Sequence, residues 1–261
     1  MFGTRRSERL DGQTALVTGA SSGIGADLAR VLARRGASVI LVARRAEALE
    51  RLAAEIGSGQ AVVRSVDLAD GDARLALQPD LAGVDILVNN AGFGLYGPFA
   101  ESDWDGVRRM QEVDVVALMH LTHLALPGML SRRRGRVLNV ASIAGFQPTP
   151  LYAAYGAGKA QVVSFGMGLN HEMRGSGVTC TTLCPGVTAT EFFDVARQPM
   201  NRFQRRSVMS SQAVAEIGVQ ACLAGRPVVV AGRLNALTAS LGRLLPLPLS
   251  TRIAGAAMAS D

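Results

Sequence analysis

The sequence TGASSGIG occupies residues 18–25, between a short apolar run at Thr14–Thr18 and a helical pattern that continues to Arg35. The glycines of this segment suit a sharp turn, a close approach of the backbone to a pyrophosphate, and tight packing of a helix on a sheet. The start of such a helix also presents unpaired N–H groups to phosphate oxygens. The segment therefore predicts a dinucleotide-binding turn, and a purely structural glycine-rich turn is the alternative.

The rest of the chain repeats this alternation of short apolar runs and longer helical patterns. The predicted strands are Thr14–Thr18, Ser38–Ala43, Ala61–Val66, Ile86–Asn89, Arg136–Ala141, Thr179–Cys184 and Val228–Ala231. The predicted helices are Ile24–Arg35, Arg45–Ile56, Trp104–Leu130, Tyr152–Arg174 and Ala213–Ala224. Apolar runs of this kind are typical of parallel strands buried on both faces. The pattern predicts an α/β fold, a doubly wound parallel sheet with helices on both faces.

Length and composition favour one domain. The chain has 261 residues, of which 48% are hydrophobic and 18% charged, and we expect a core at residues 10–232 and an apolar tail at 233–261. The formal net charge of +6 comes from scattered arginines, so no nucleic-acid partner is expected. The start of the chain lacks the apolar segment of a signal peptide, and the cysteines form no disulfide framework: Cys180, Cys184 and Cys222. These features predict a cytoplasmic protein.

The 27 basic residues include one lysine, Lys159, which lies four positions after Tyr155. Where arginine is used nearly everywhere else, a single lysine indicates a position that needs a compact ammonium, although its chance survival on a solvated face is the alternative. Tyr155 and Lys159 share a helix face at this spacing. With Ser142, which precedes them, they form a candidate catalytic group of hydrogen-bond donor, proton donor and cation.

Five motifs in this order resemble the short-chain dehydrogenase/reductase family. They are TGxxxGxG at Thr18–Gly25, NNAG at Asn89–Gly92, Ser142, YxxxK at Tyr155–Lys159 and PGxxxT at Pro185–Thr190. The resemblance spans about residues 10–232. It implies a Rossmann-type sheet of seven parallel strands, a bound NAD or NADP, and transfer of hydride to or from an alcohol or carbonyl carbon.

The candidate catalytic residues suit that chemistry. A free tyrosine has a pKa of about 10, too high for acid–base work at neutral pH, and a nearby ammonium is expected to lower it. Tyr155 would then give a proton to a carbonyl oxygen in reduction, while Ser142 hydrogen-bonds the same oxygen. The resemblance implies an asparagine as the fourth catalytic residue, but this chain has Asp114 there. An ionised Asp114 would pair with Lys159 and weaken its effect on Tyr155.

The resemblance also implies which residues contact the cofactor. They are Gly19, Ser21, Ser22, Gly23, Ile24, Gly25, Arg44, Asp67, Leu68, Asn90, Ala91, Gly92, Tyr155, Lys159, Pro185, Gly186, Val187 and Thr190. The second predicted strand ends at Ala43 with no acid for the ribose hydroxyls, and Arg44 can pair with a 2′-phosphate. NADP is therefore expected over NAD. In the family, the acid at Asp67 meets the adenine amino group. No metal is expected, since the three histidines lie outside any ligand cluster.

Apolar residues are expected to form the substrate pocket, which predicts a small hydrophobic ketone, aldehyde or secondary alcohol. One wall consists of Phe93, Leu95, Phe146, Gln147 and Leu151, and the facing loop contributes Phe192, Phe193, Met200 and Phe203. Arginines of that loop offer a less favoured alternative, the phosphate of an acyl carrier: Arg197, Arg202, Arg205 and Arg206.

The sequence allows more than one role for the C-terminal tail and more than one function for the protein. The apolar tail at 233–261 is too short and too interrupted to span a membrane. It could form amphipathic helices that cover the pocket, join subunits or rest on a bilayer surface, and packing on the protein is the favoured alternative. A homodimer or homotetramer is expected. Two other functions remain open: an NADP-binding protein of the same family without turnover, and an epimerase or dehydratase that uses the same cofactor.

Overall fold

In the computed structural model, the strands of the main sheet follow the predicted apolar runs. The structure describes residues 8–57, 59–196, 198 and 207–258. The strands are β1 (Thr14–Thr18), β2 (Ser38–Ala43), β3 (Ala61–Ser65), β4 (Ile86–Asn89), β5 (Gly135–Val140), β6 (Val178–Cys184), β7 (Thr188–Ala189), β8 (Met209–Ser210) and β9 (Val228–Val230). Seven of them form a parallel sheet in the order β3-β2-β1-β4-β5-β6-β9. The order reverses between β1 and β4, where doubly wound folds bind their ligands.

Helices cover both faces of this sheet. They are α1 (Gly23–Arg34), α2 (Ala46–Ile56), α3 (Gly71–Leu75), α4 (Gln78–Gly83), α5 (Trp104–Gln111), α6 (Leu118–Ser131), α7 (Ala153–Glu172), α8 (Phe192–Ala196), α9 (Ser211–Leu223), α10 (Arg233–Leu244) and α11 (Leu247–Met258). Leu28 and Leu32 of α1 pack with Val219 of α9 in the core on one face. Leu81 of α4 and Leu121 of α6 belong to the core on the other. The predicted α/β fold with a doubly wound parallel sheet is therefore confirmed.

Two short helices between β3 and β4 were not predicted. Asp70 caps α3, because its carboxylate accepts hydrogen bonds from the backbone N–H groups of Asp72 and Ala73 at 2.9 and 3.2 Å. Pro79 lies in the first turn of α4. Both helices are too short for a helical period to be recognised. Only Asp70 and Pro79, which are typical of helix starts, indicated them in the sequence. The sequence reading also missed the two-strand pair of β7 and β8.

A continuous helix runs from Trp104 to Ser131 through α5, a π-helical turn at Glu112–Ala117, and α6. By length and composition alone it could cross a membrane. Its residues Leu121 and Met129, however, are fully buried in the core under the sheet, which accounts for its apolar content. The π-helical turn carries Asp114, and turns of this type often occur at functional sites.

Candidate active site

The glycine-rich turn and the segments that follow the carboxyl ends of β2 to β6 surround a cleft of about 500 Å³. The cleft lies at the point where the strand order reverses. All of the sequence-predicted cofactor residues line it: Gly19, Ser21, Ser22, Gly23, Ile24, Gly25, Arg44, Asp67, Leu68, Asn90, Ala91, Gly92, Tyr155, Lys159, Pro185, Gly186, Val187 and Thr190. Ser142 lines it as well, whereas Asp114 lies buried behind Lys159. The fold thus brings the five motifs together.

Backbone geometry explains why the turn after β1 needs glycine. Gly19 has a φ of +65°, and a Cβ there would lie 2.7 Å from Asn90 Nδ2 and 2.8 Å from Ala91 Cα. Asn90 Nδ2 donates to the Thr18 carbonyl oxygen at 2.9 Å, and Thr18 Oγ1 accepts from the backbone N–H groups of Asn90 and Ala91. The Asn90 side chain therefore holds the turn in shape against the loop after β4.

The start of α1 fits a pyrophosphate. Ser22 occupies the N-cap position, but its side chain makes no capping hydrogen bond, so the first N–H groups of α1 have no capping side chain over them. Gly23 has a φ of +54°, and a Cβ at this position would lie only 2.9 Å from Thr190 Cγ2. The uncapped N–H groups suit a ligand that carries negative charge, and the glycine lets Thr190 pack closely against the turn.

Two arginines follow β2 at the rim of the cleft, and the second of them, Arg45, was not predicted as a site residue. Its guanidinium donates to Ser21 Oγ at 3.2 Å, to Ser22 Oγ at 2.7 Å and to Glu191 Oε2 at 3.0 Å. It therefore spans the cleft from the glycine-rich turn to the loop after β7. The sequence did offer a signal for Arg45, because it lies directly after Arg44 at the end of β2.

The Asp67 carboxylate at the end of β3 already has partners. Arg109 of α5 donates to Oδ2, and the Ala69 backbone N–H donates to Oδ1 at 3.0 Å. Burial raises the pKa of Asp67, but these hydrogen bonds and the charges of Arg109 and Arg44 outweigh it and hold the pKa below its usual value. Asp67 is therefore an ionised acceptor at the predicted adenine end, and Arg109 is a second residue that the sequence reading missed.

The catalytic candidates converge from β5 and α7. Tyr155 and Lys159 lie one turn apart on α7, and Lys159 Nζ is 5.6 Å from the centroid of the Tyr155 ring. Ser142 follows β5, and its Oγ accepts a hydrogen bond from the Ala144 backbone N–H at 3.1 Å. This contact orients the serine and leaves its hydroxyl hydrogen for another acceptor. Ser142 and Tyr155 thus present two donors to the same part of the cleft.

The predicted pairing of Asp114 with Lys159 is present in the structure. Asp114 Oδ2 lies 3.0 Å from Lys159 Nζ, and both side chains are buried. The other oxygen, Oδ1, accepts from the Phe93 backbone N–H at 2.9 Å, and a Cβ at Gly92 would lie 2.8 Å from Oδ2. Lys159 Nζ also donates to the Val140 carbonyl oxygen at 3.3 Å. The NNAG motif therefore makes room for the carboxylate that holds the lysine.

Burial is the largest single influence on the pKa of each of these three groups, and it decides the direction for Asp114 and Tyr155 but not for Lys159. It lowers the pKa of Lys159, but Asp114 and Tyr155 outweigh this effect, so that the pKa is raised and the amine stays charged. Burial raises the pKa of Asp114 against the opposing effects of Lys159 and the Phe93 N–H. It also raises the pKa of Tyr155, which Lys159 lowers and Asp114 raises further. The expected lowering by Lys159 and the expected opposing effect of Asp114 are both present, but burial, which the sequence analysis did not count, outweighs the lowering in this state.

Aromatic side chains surround the cleft next to Tyr155. The centroid of its ring lies 5.5 Å from that of Tyr152 and 5.4 Å from that of Phe192. The Tyr152 hydroxyl donates to Gln198 Oε1 at 2.8 Å, and both residues are buried. Other residues that line this region are Phe93, Gln147, Thr149 and Phe193. The surface is mainly apolar, with a few amide and hydroxyl groups.

The predicted substrate wall is correct only in part. Phe93, Gln147, Phe192 and Phe193 line the cleft, but three other predicted residues do not: Leu95, Phe146 and Leu151. Phe146 packs instead against the core cluster that contains Val115. The remaining predicted residues of the facing loop, Met200, Phe203, Arg197, Arg202, Arg205 and Arg206, lie outside the described residues.

A tyrosine beside a buried ammonium, in a cleft shaped for a dinucleotide, defines the class of the protein as a nucleotide-dependent oxidoreductase. Among the described residues, no group of histidine, cysteine and acidic side chains has the arrangement of a metal site.

Comparisons with known proteins identify the family. The family model for short chain dehydrogenases matches residues 13–201. The very-long-chain 3-oxoacyl-CoA reductase of Bos taurus is 32% identical over 252 residues, which cover 93% of this chain and 78% of that protein. A short-chain dehydrogenase from Sphingobium yanoikuyae, solved in complex with NADPH, has a TM-score of 0.77 and 30% identity, with 89% of this chain and 94% of that chain covered. A short chain dehydrogenase/reductase from Burkholderia phymatum, solved in complex with NAD, has a TM-score of 0.82 and 27% identity, with 94% and 95% covered.

The chain belongs to the short-chain dehydrogenase family. It is an oxidoreductase of that family, and its cofactor is a nicotinamide dinucleotide.

Proposed function

We propose that the protein is an NADP(H)-dependent oxidoreductase that interconverts a hydrophobic ketone or aldehyde and the corresponding alcohol. The observation that carries this proposal is the position of Tyr155, which lies between the Lys159 ammonium and an aromatic wall inside the cleft. A turnover assay with NADPH and a panel of ketones and aldehydes tests it. Absence of turnover with every carbonyl, despite tight NADPH binding, would favour a binding protein without catalysis.

The side chains of the site would manage the proton and the developing charge. When bound, the nicotinamide supplies or accepts the hydride. In reduction, Tyr155 gives its phenolic proton to the carbonyl oxygen, and Ser142 donates a hydrogen bond to that oxygen as charge develops. The Lys159 ammonium stabilises the tyrosinate that remains. Oxidation reverses these steps, with tyrosinate as the base.

The end of β2 supports NADP as the cofactor. No carboxylate stands at Ala43 to bind the ribose hydroxyls, and Arg44 and Arg45 place two guanidinium groups on the rim of the cleft. Arginine binds phosphate through paired hydrogen bonds, so it suits a 2′-phosphate better than a hydroxyl. The relative from Sphingobium yanoikuyae was solved with NADPH, which agrees with this preference, whereas the one from Burkholderia phymatum was solved with NAD.

Removal of either arginine should weaken NADPH binding and leave NADH binding nearly unchanged. A hydrogen bond to a charged group contributes about 1.5–3 kcal/mol, so Arg44→Ala or Arg45→Ala should raise the Kd for NADPH about 10- to 100-fold. Fluorescence titration with both cofactors measures this effect. Arg51→Ala, at an exposed position of α2, is the matched control. Equal Kd values for NADPH and NADH in the unmodified protein would reject the preference.

The substrate is proposed from the lining of the cleft. Phe93, Tyr152, Phe192 and Phe193 favour an apolar group beside the carbonyl carbon. The Bos taurus relative is named as a reductase of very-long-chain 3-oxoacyl-CoA, which agrees with an apolar substrate. The carbonyl panel should therefore include aliphatic chains of increasing length, and kcat/KM should rise with apolar size. Product stereochemistry at catalytic amounts of cofactor would reveal an epimerase instead.

Asp114→Asn should move the pH profile of alcohol oxidation to lower pH. The Asp114 carboxylate raises the pKa of Tyr155, and asparagine keeps the shape and one acceptor without the charge. A lower Tyr155 pKa makes the tyrosinate base available at lower pH. The measurement is kcat/KM against pH with NADP and one accepted alcohol. Asp105→Asn, on the exposed side of α5, is the control. An unmoved or alkaline-shifted profile would leave Asp114 as a shape substitute for asparagine.

The proposal includes a cytoplasmic location and a homodimer or homotetramer. Cys180, Cys184 and Cys222 are buried and form no disulfide among the described residues, which suits a reducing compartment. Val116 and Met119 are exposed apolar residues on the long helix, and they offer a surface for a second copy. Cell fractionation and sedimentation velocity test these two points.

A further inference from the structure

The helix α10 exposes a ridge of four leucines that the described residues leave uncovered. Leu234, Leu237, Leu241 and Leu244 are 56%, 56%, 53% and 82% exposed. Their spacing places them along one side of the helix. This leucine ridge is too regular and too large to be a chance exposure of single apolar side chains.

The opposite side of α10 attaches the helix to the domain. Asn235 and Ala239 are buried there, and Asn235 Nδ2 donates to the Ala231 carbonyl oxygen at 2.8 Å. A Cβ at Gly242 would lie 2.6 Å from Gln147 Oε1, so the helix packs closely on that segment. The helix therefore has two distinct faces, one packed on the protein and one apolar face turned outward.

The exposed apolar surface continues into α11. Leu247, Leu249 and Ile253 are exposed, whereas Ser250 and Ala254 are buried. Seven of the seventeen large apolar side chains that are exposed among the described residues lie between residues 234 and 253. Such concentration marks an interaction surface, since ordinary exposed apolar residues are scattered singly.

The charge of this segment distinguishes between two occupants. Residues 233–258 contain three arginines and no aspartate or glutamate: Arg233, Arg243 and Arg252. A second copy packed by symmetry on the same surface would bring like charges together. A bilayer rich in anionic lipids offers the opposite charge beside an apolar interior, which is the environment that basic amphipathic helices bind.

We propose that α10 and α11 dock on the surface of an anionic lipid bilayer, with the leucine ridge inserted among the acyl chains and the exposed Arg233 and Arg252 near the phosphates. Through Thr238 and Ala239, α10 also lines the cleft. Docking would therefore hold the cleft beside the bilayer, in which apolar carbonyl compounds dissolve. That consequence rests on the proposed function, whereas the docking itself does not.

Vesicle sedimentation with the full chain tests the docking. The protein should pellet with vesicles of equal parts phosphatidylcholine and phosphatidylglycerol, and stay in the supernatant with phosphatidylcholine alone. Leu237→Gln/Leu241→Gln should weaken binding more than about 10-fold. Arg233→Gln/Arg252→Gln should weaken it about 30-fold, which corresponds to roughly 1 kcal/mol for each arginine near an anionic surface.

Matched variants separate this surface from the rest of the protein. Leu75→Gln/Leu130→Gln changes two exposed leucines elsewhere, and Arg51→Gln/Arg108→Gln changes two exposed arginines elsewhere. Both should bind vesicles like the unmodified protein. NADPH titration and thermal melting on every variant show whether the fold and the cofactor site survive, independently of any turnover.

Three results would overturn the docking. The first is an unmodified protein that stays in the supernatant with the anionic vesicles, and the second is a ridge variant that still pellets with them. The third is a ridge variant that sediments as a smaller species than the unmodified protein in the absence of lipid, which would assign the leucine ridge to a second copy of this chain.

Discussion

The Tyr155→Phe protein is expected to lose roughly 10²- to 10⁴-fold in kcat, the contribution typical of a positioned general acid. Phenylalanine keeps the ring that packs against Tyr152 and Phe192 and removes only the hydroxyl. NADPH binding and thermal stability should therefore stay close to those of the unmodified protein. Stopped-flow measurement of hydride transfer, with NADPH titration in parallel, separates the loss of chemistry from a loss of binding.

Tyr96→Phe is the matched control for this experiment. The Tyr96 ring lies 5.3 Å from that of Tyr152, but Tyr96 does not line the cleft. Loss of its hydroxyl should leave hydride transfer unchanged. Retention of most of the activity in Tyr155→Phe would show that another group donates the proton, and Tyr152 would then be the next residue to replace.

Short-range pattern was sufficient to predict the sheet. The central strands of the main sheet are buried apolar runs, whereas the edge strand β3 is partly exposed, and the predicted bounds of all seven differ from the structure by at most one residue. Periodicity could not reveal α3 and α4, because each is shorter than the window in which a helical period can be counted. The paired β7 and β8 have only two residues each, so their formation depends on tertiary contacts.

The motifs predicted the residues of the cleft because each motif follows the end of a parallel strand, and these ends meet at one edge of the sheet. Contacts between side chains of distant segments could not be predicted from motifs. Arg109 reaches Asp67 from α5, and Arg45 reaches Glu191 across the cleft. Neither pair has a sequence spacing that would suggest it.

The burial of the catalytic residues also could not be predicted from the sequence. The charge of Lys159 was predicted to lower the pKa of Tyr155, and that effect is present. The cost of removing the phenolate from water exceeds it, and the Asp114 carboxylate adds to the rise. A positively charged nicotinamide beside Tyr155 would act in the opposite direction, so the pKa relevant to oxidation is that of the complex with NADP.

Lys159→Arg should cost roughly 10² or more in kcat/KM even though the positive charge is retained, because a displacement of about 1 Å in such a site has that effect. The ammonium is buried, 3.0 Å from Asp114 Oδ2 and 3.3 Å from the Val140 carbonyl oxygen. A guanidinium is longer and planar, so it would displace one of these partners or the Tyr155 ring. Overpacking of this kind typically costs about 1–3 kcal/mol, so thermal melting should show a modest loss of stability.

Comparison with Lys159→Met separates charge from geometry in the same site. Methionine has a similar length but no charge, so it leaves the buried Asp114 carboxylate without its partner and should impair both stability and turnover. If charge alone were needed, Lys159→Arg would retain most of the activity that Lys159→Met loses, and the single lysine among 27 basic residues would have no special role. If the compact ammonium is needed, both variants lose hydride transfer, and only Lys159→Arg keeps a positive charge beside Asp114. Single-turnover rates with bound NADPH distinguish these outcomes, because they report the chemical step after the cofactor has been held in place.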